Sequence, residues 1–142
     1  MSTWPKRVLF VCIGNACRSQ MAEAFARAYG SDVLVSASAG LFPAKAVPPD
    51  TLRAMEEKDL DLSGRAPKSL VDLEGEKFDI MVNMSRFPLP PMGGATMREW
   101  HVPDPIMMDY KDHCAVRDRI ERLVMNLILE LRRLEKQEAA AP

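Results

Sequence analysis

The run Val8-Leu9-Phe10-Val11-Cys12 is apolar and rich in strand-forming residues, and it stops at a cysteine. A helical pattern begins at Ser19, after only Ile13-Gly14-Asn15-Ala16-Cys17-Arg18. A buried strand that turns this quickly into a helix commits the chain to a βα unit, and through it to a parallel sheet. The same turn aims backbone N–H groups from the loop and the first helical turn into one small bowl. The helix N-terminus adds partial positive charge there. Such a bowl fits a tetrahedral oxyanion. Arg18 can clamp that anion bidentately, with Cys12 beneath it as a nucleophile. C-x5-R alone is a loose pattern. The strand before it, Gly14 and Asn15 inside it, and Ser19 with a helix after it supply its context. The chemistry implied is phosphoryl transfer through a thiol-phosphate intermediate.

Such a mechanism needs a thiolate, and a free cysteine ionises only near pH ~8.5. A helix terminus contributes about 0.3–2 kcal/mol towards the anion. The remainder falls to loop amides, the Ser19 hydroxyl and Arg18. Gly14, with no Cβ, permits unusual backbone angles and close anion approach, and Asn15 tolerates a left-handed conformation while bracing the loop with its amide. Ser19 has two compatible readings, a helix N-cap and a hydrogen-bond donor to the Cys12 sulfur.

Hydrolysis also needs an acid for the leaving oxygen. Asp104 sits between Pro103 and Pro105, which stiffen the loop enough to hold one carboxylate over a pocket. Asp-Pro also begins ordinary turns. Asp109 and Asp112 are its rivals for the acid role.

Strands and helices alternate along the chain. Strands are expected at 7–11, 33–37, 78–83 and 98–102. Helices are expected at 19–29, from Pro48-Pro49 to about Lys58, and from about Asp112 to Lys136. Val116, Ile120, Leu123, Val124, Leu127, Leu131 and Leu134 recur at helical spacing, which reads as a core-facing stripe. Residues 137–142 read as a frayed tail. The βαβ order predicts one three-layer α/β/α domain over residues 1–142, built on a four-stranded parallel sheet with helices on both faces. Ligands in such folds bind at the carboxyl ends of the strands, which brings Cys12 and Asp104 to one edge.

The 142 residues, 47% of them apolar, suffice for one conventional core. A net charge of −1 gives no basic bias, so nucleic acid is not an expected partner. No apolar run is long enough to span a membrane, and residues 1–7 lack a signal-peptide core. Three cysteines, one of them reactive, fit a reducing cytoplasmic compartment. Zinc spacing is poor among Cys12, Cys17, Cys114, His101 and His113, so neither metal nor other cofactor is expected.

Cys12-Ile13-Gly14-Asn15-Ala16-Cys17-Arg18-Ser19 resembles the signature of the low-molecular-weight protein tyrosine phosphatases and of their relatives, the thioredoxin-coupled arsenate reductases. Gln20-Met21-Ala22-Glu23 leans towards the reductases. Ser38-Ala39-Gly40, Asp61-Leu62-Ser63-Gly64, the third strand and Val102-Pro103-Asp104-Pro105 extend the likeness over nearly the whole chain. The resemblance implies a flavodoxin-like fold with a phosphate-binding loop after the first strand. It implies Cys12 as nucleophile, Arg18 as clamp, Ser19 as thiolate stabiliser, and Asp104 as acid and then base. It further implies a substrate cradle from Ile13, Gly14, Asn15, Ala16 and Cys17, with Asn15 and Ser38 supporting the loop.

The main expectation is a phosphatase acting on a phosphorylated protein or a small phosphate ester, with aryl phosphate or phosphotyrosine as substrate class. The alternative is an arsenate reductase using Cys12 with Cys17 or Cys114, partnered by thioredoxin or glutaredoxin. A phosphate-binding module without catalysis ranks below both. The related reductases typically carry a cysteine pair shortly after the third strand, and residues 83–94 hold none, which favours the phosphatase. Against phosphotyrosine, Ile106-Met107-Met108 follows Asp-Pro where the family commonly has an aromatic residue, and Gly64-Arg65-Ala66 replaces its usual histidine. Met107, Met108 and Phe42 are candidates for an apolar rim. A Cys12–Cys17 disulfide, also implied by the family, would shield the nucleophile from overoxidation.

Overall fold

The computed structural model describes residues 3–141. Met1, Ser2 and Pro142, the last of them in the expected tail, lie outside them. In chain order the elements are β1 (Lys6–Cys12), α1 (Arg18–Tyr29), β2 (Leu34–Gly40), α2 (Pro49–Glu56), β3 (Ile80–Asn83), β4 (Thr96–Glu99) and α3 (Tyr110–Ala140). Two 3-10 turns, Leu70–Leu73 and Pro105–Met107, were not foreseen from the sequence pattern. The strands form a wholly parallel sheet in the order β2-β1-β3-β4. That is the expected doubly wound arrangement, with β1 central and its neighbours reached in opposite directions.

β1 is buried on both faces, which explains its uninterrupted apolar run. On one face Val8, Phe10 and Cys12 pack beneath α1, α2 and α3, against Phe25, Met55, Ile120 and Ile128. On the other, Leu9 and Val11 meet Met81 and Ala39. The cover there is Leu70 and Leu73 of the first 3-10 turn with Leu89 and Met92, a thinner layer than the helix the sequence reading expects. α2 starts as anticipated, with Pro48 at the N-cap and Pro49 in the first turn.

Boundaries shift where tertiary pairing decides them. β2 extends to Gly40 because β1 pairs with it to the last residue, Cys12 opposite Gly40. β4 lies at Thr96–Glu99 rather than 98–102, because Asn83 at the end of β3 pairs with Glu99. α3 continues through Ala140, past the expected fraying at residue 137. Ala- and Glu-rich sequence favours helix there, and the Trp4 indole N–H donates to Glu138. Arg132 binds both carboxylate oxygens of Asp32 and the Tyr29 carbonyl, fastening α3 to the turn after α1. Among the described residues, no helix is long and apolar enough to cross a membrane.

Candidate active site

The Cys12 loop, α1 and the segment after β4 meet at the carboxyl edge of the sheet. They enclose a cavity of about 120 Å³ whose walls include Cys12, Cys17, Arg18, Ala44, Asp104 and Ile106. The loop residues Ile13, Gly14 and Ala16 also line it. A space of that size suits a tetrahedral oxyanion and little more.

The loop's shape comes from two positions. Asn15 takes the left-handed conformation, with φ 49°. Its amide N–H₂ donates to Ser19 and Ser38, and its amide oxygen accepts from Gln20 and from the Lys68 backbone N–H. Gly40 lies directly under the loop. A Cβ there would meet Asn15 N and Ile13 O at 2.7 Å, so only glycine fits. The expectation for Gly14 needs correction. A Cβ at Gly14 would find no protein atom nearer than 3.7 Å, and the left-handed turn falls on Asn15 instead.

Ser19 is not the helix cap. Cys17 occupies the N-cap position without a side-chain bond, and Ser19 lies inside the first turn. Its hydroxyl is 2.9 Å from Cys12 Sγ and accepts from Asn15. The first backbone bond of the helix runs from Met21 N–H to the Cys17 carbonyl, so the preceding amides lack helical partners. They are the expected anion donors.

Arg18 is almost wholly buried. Its Nη1 donates to the Met84 carbonyl at 2.5 Å and the Val102 carbonyl at 3.1 Å. Nη2 lies 3.5 Å from Asp104 Oδ2. With Nη1 committed, the bidentate edge is Nε with Nη2. Asp104 Oδ1 accepts from Ile106 N–H and caps the 3-10 turn, as the turn reading expects, while Oδ2 faces Arg18 at the cavity. Asp109 caps α3 and Asp112 supplies the N–H that it accepts, so neither shares Asp104's place.

The remaining thiols separate. Cys17 shares the cavity, and burial pushes its pKa up to about 11, helped by the nearby Asp104 and Cys12 charges and opposed by Thr51 and Arg18. Cys114 is not among the cavity walls; its Sγ is 3.7 Å from Glu57 at the end of α2. His113 turns inward to Thr51 rather than towards Cys114. The expected apolar rim is also different. Met107 and Phe42 are exposed and Met108 packs on the core, while Ala44 and Ile106 form the wall.

Sequence reasoning gave Thr51 no role, weighed His113 among possible metal ligands, and met Glu23 only within the reductase-like run after Ser19. Glu23 is buried and takes hydrogen bonds from Ser38, Arg27 and Arg65, extending the support of Asn15 outward. Its signal was an acidic residue among the small apolar residues Ala22, Ala24 and Ala26, which demands a cation; Arg65 answers it where the resemblance leads one to expect histidine.

The low molecular weight phosphotyrosine protein phosphatase family model matches residues 7–88. A glutaredoxin arsenate reductase of Synechocystis sp. is 31% identical over 130 residues, covering 89% of this chain and 98% of that protein. A solved arsenate reductase in the phosphate binding state superposes with a TM-score of 0.81 at 30% identity, over 89% of this chain and 98% of the other. The YwlE arginine phosphatase from Geobacillus stearothermophilus superposes with a TM-score of 0.76 at 23% identity, over 97% and 99% of the two chains, a likeness of fold.

Proposed function

The chain belongs to the low molecular weight phosphotyrosine protein phosphatase family, and from that membership we propose that it reduces arsenate to arsenite through an adduct on Cys12. The observation that carries the reading is a pair of thiols, Cys12 and Cys17, in one oxyanion-sized cavity with Arg18. The names of its relatives outweigh the missing cysteines of residues 83–94, because Cys17 offers a second thiol in another place.

The Cys12 thiolate, beside the Ser19 hydroxyl, attacks arsenic(V) held by loop amides and Arg18, and water leaves. Cys17 sulfur then attacks Cys12 Sγ. The S–As bond breaks with its electron pair going to arsenic, which departs as arsenite, and a Cys12–Cys17 disulfide remains. An external dithiol of the thioredoxin or glutaredoxin class reduces that disulfide and is itself oxidised.

A second reading, hydrolysis of small phosphate esters, is favoured by Asp104 Oδ2 beside Arg18. Asp104 would protonate the leaving oxygen and then activate water. Phosphotyrosine is a poorer candidate, because Ala44 and Ile106 offer its ring no aromatic wall.

Arsenite release with glutaredoxin or thioredoxin as donor tests the first reading. Cys12→Ser and Cys17→Ser are expected to abolish turnover and Cys114→Ser to retain it. A folded wild type that makes no arsenite with either donor overturns it. Vanadate-sensitive hydrolysis of p-nitrophenyl phosphate near pH ~6 tests the second. Asp104→Asn should lose about 10²–10⁴-fold in rate, while Asp109→Asn changes it little. Equal losses would remove Asp104 from the acid role.

A further inference from the structure

A thiol attacks as its thiolate, and Cys17 stands where that charge is poorly supported. Burial above all pushes its pKa up to about 11, and the negative charges of Asp104 and Cys12 add to the cost. Arg18 acts the other way, but its Nη1 is committed to two carbonyls and its Nη2 lies against Asp104. Cys17 also occupies the N-cap of α1 without bonding the helix, so α1 does not hold its side chain. The group that does is Thr51, buried in the first turn of α2, whose hydroxyl donates to Cys17 Sγ at 3.2 Å. The Thr51 oxygen lies a further 2.9 Å from Nε2 of the buried His113 on α3.

Counting protons gives the second contact its direction. A threonine hydroxyl carries one proton, and here it is directed at Cys17. The Thr51 oxygen is therefore the acceptor towards His113, and Nε2–H is the donor. Burial lowers His113 below the usual 6.5, so at pH 7 the ring is neutral with a single N–H, and that N–H is on Nε2. Both bonds then point the same way, from His113 to Thr51 and from Thr51 to Cys17. Hydrogen bonds aligned in a row polarise one another, and a row that ends on sulfur favours the anion over the neutral thiol.

We infer that Thr51 is a further catalytic residue, whose hydroxyl steadies the negative charge on Cys17 sulfur during its attack on Cys12, and that His113 is its positioning residue. The inference rests on the reading of Cys17 as the second thiol. Cys17 gives its proton to water. Its sulfur then bonds Cys12 Sγ, and the bond from Cys12 Sγ to its leaving group breaks. The electron pair departs with that group, which takes up a proton. Thr51 keeps its own proton throughout, so the row of donors is already in place when an external dithiol regenerates Cys17.

Hydrogen peroxide isolates this step from any question of substrate. It converts Cys12 to a sulfenic acid. Cys17 then displaces the hydroxyl, which leaves as water, or more peroxide carries Cys12 on to the sulfinic acid. In a Cys114→Ser background, mass spectrometry reads the disulfide-to-sulfinic ratio, and dimedone trapping reads the rate of sulfenic acid formation. Thr51→Val keeps the shape and removes the hydroxyl. A hydrogen bond to a charged group is worth about ten- to a hundredfold in ionisation, and the more basic thiolate recovers about half of that logarithm as nucleophilicity. The ratio should therefore fall about three- to tenfold at neutral pH. Thr51→Ser restores the hydroxyl and should match the parent. His113→Gln, whose amide N–H can donate in place of the ring, should stay closer to the parent than Thr51→Val. Sulfenic acid formation should proceed at the parent rate in all of them, because Thr51 bonds Cys17 and not Cys12. Circular dichroism checks that each variant is folded. An unchanged ratio in Thr51→Val overturns the inference. So does an equal loss in Thr51→Ser, or a loss matched by slower sulfenic acid formation, either of which marks a packing role. A parent protein that forms only the sulfinic acid removes Cys17 as second thiol and the role of Thr51 with it. One that forms the disulfide, loses it in Thr51→Val and yet makes no arsenite supports the role of Thr51 and defeats the arsenate reading.

Discussion

Asn15 carries a backbone conformation and a hydrogen-bond hub in one residue, and the two are separable. Asn15→Ala loses the four amide bonds and keeps an unfavourable left-handed Cβ, so a loss of about 2–4 kcal/mol is expected in urea unfolding. Asn15→Gly loses the same bonds without that Cβ and should recover about 1 kcal/mol. Gly40→Ala forces a methyl against the loop backbone at 2.7 Å and should cost about 1–3 kcal/mol. Because that clash displaces the loop holding Cys12, the proposed arsenite formation should also fall. Cys12, Cys17, Arg18 and Ser19 were readable together because they lie within one turn of chain, whose local order is enough to suggest a bowl. Asp104 was readable through its prolines. Thr51, His113, Glu23 and Arg65 were not, since their meaning comes from partners distant in sequence.

At the level of elements, α1 and α3 pack tightly where Gly30, at the end of α1, meets Ile128. A Cβ on Gly30 would lie 2.6 Å from Ile128 Cγ1. Gly30→Ala should cost about 1–3 kcal/mol and Ile128→Ala about 2–5 kcal/mol. The double variant should cost at least about 1 kcal/mol less than their sum, because the cavity left by one receives the methyl of the other. Simple additivity in chemical denaturation would show that the helices separate instead. The helices were legible from periodicity because their apolar stripes are long. The ends of β2 and β4 were not, because a strand stops where its neighbour stops pairing. The Leu70–Leu73 turn escaped notice because so short an element leaves no periodic trace.

For the whole molecule, the order β2-β1-β3-β4 places the strand that ends in Cys12 between two partners, and Arg18 bridges the segments after β3 and β4. The buried His113 adds a pH dependence to global stability. Its pKa is lower folded than unfolded, so the unfolded chain takes up the proton first. That contribution is intact above the unfolded value of 6.5 and is lost as pH falls through the lower folded value. The midpoint of thermal unfolding should drop on acidification, and His113→Gln should flatten the part of the drop that begins near 6.5. An identical profile in the variant would assign the drop to carboxylates.

The middle strand of the sheet is also the earliest strand of the chain. During synthesis Cys12 leaves the ribosome well before Asn83 can complete the pairing of β1, and before Val102 can hold Arg18. Thr51 and His113 follow at widely different times. A nascent chain thus has its thiol before it has anything to surround that thiol, and the setting of Cys12 is completed late, as the last strand and helix close the edge of the sheet.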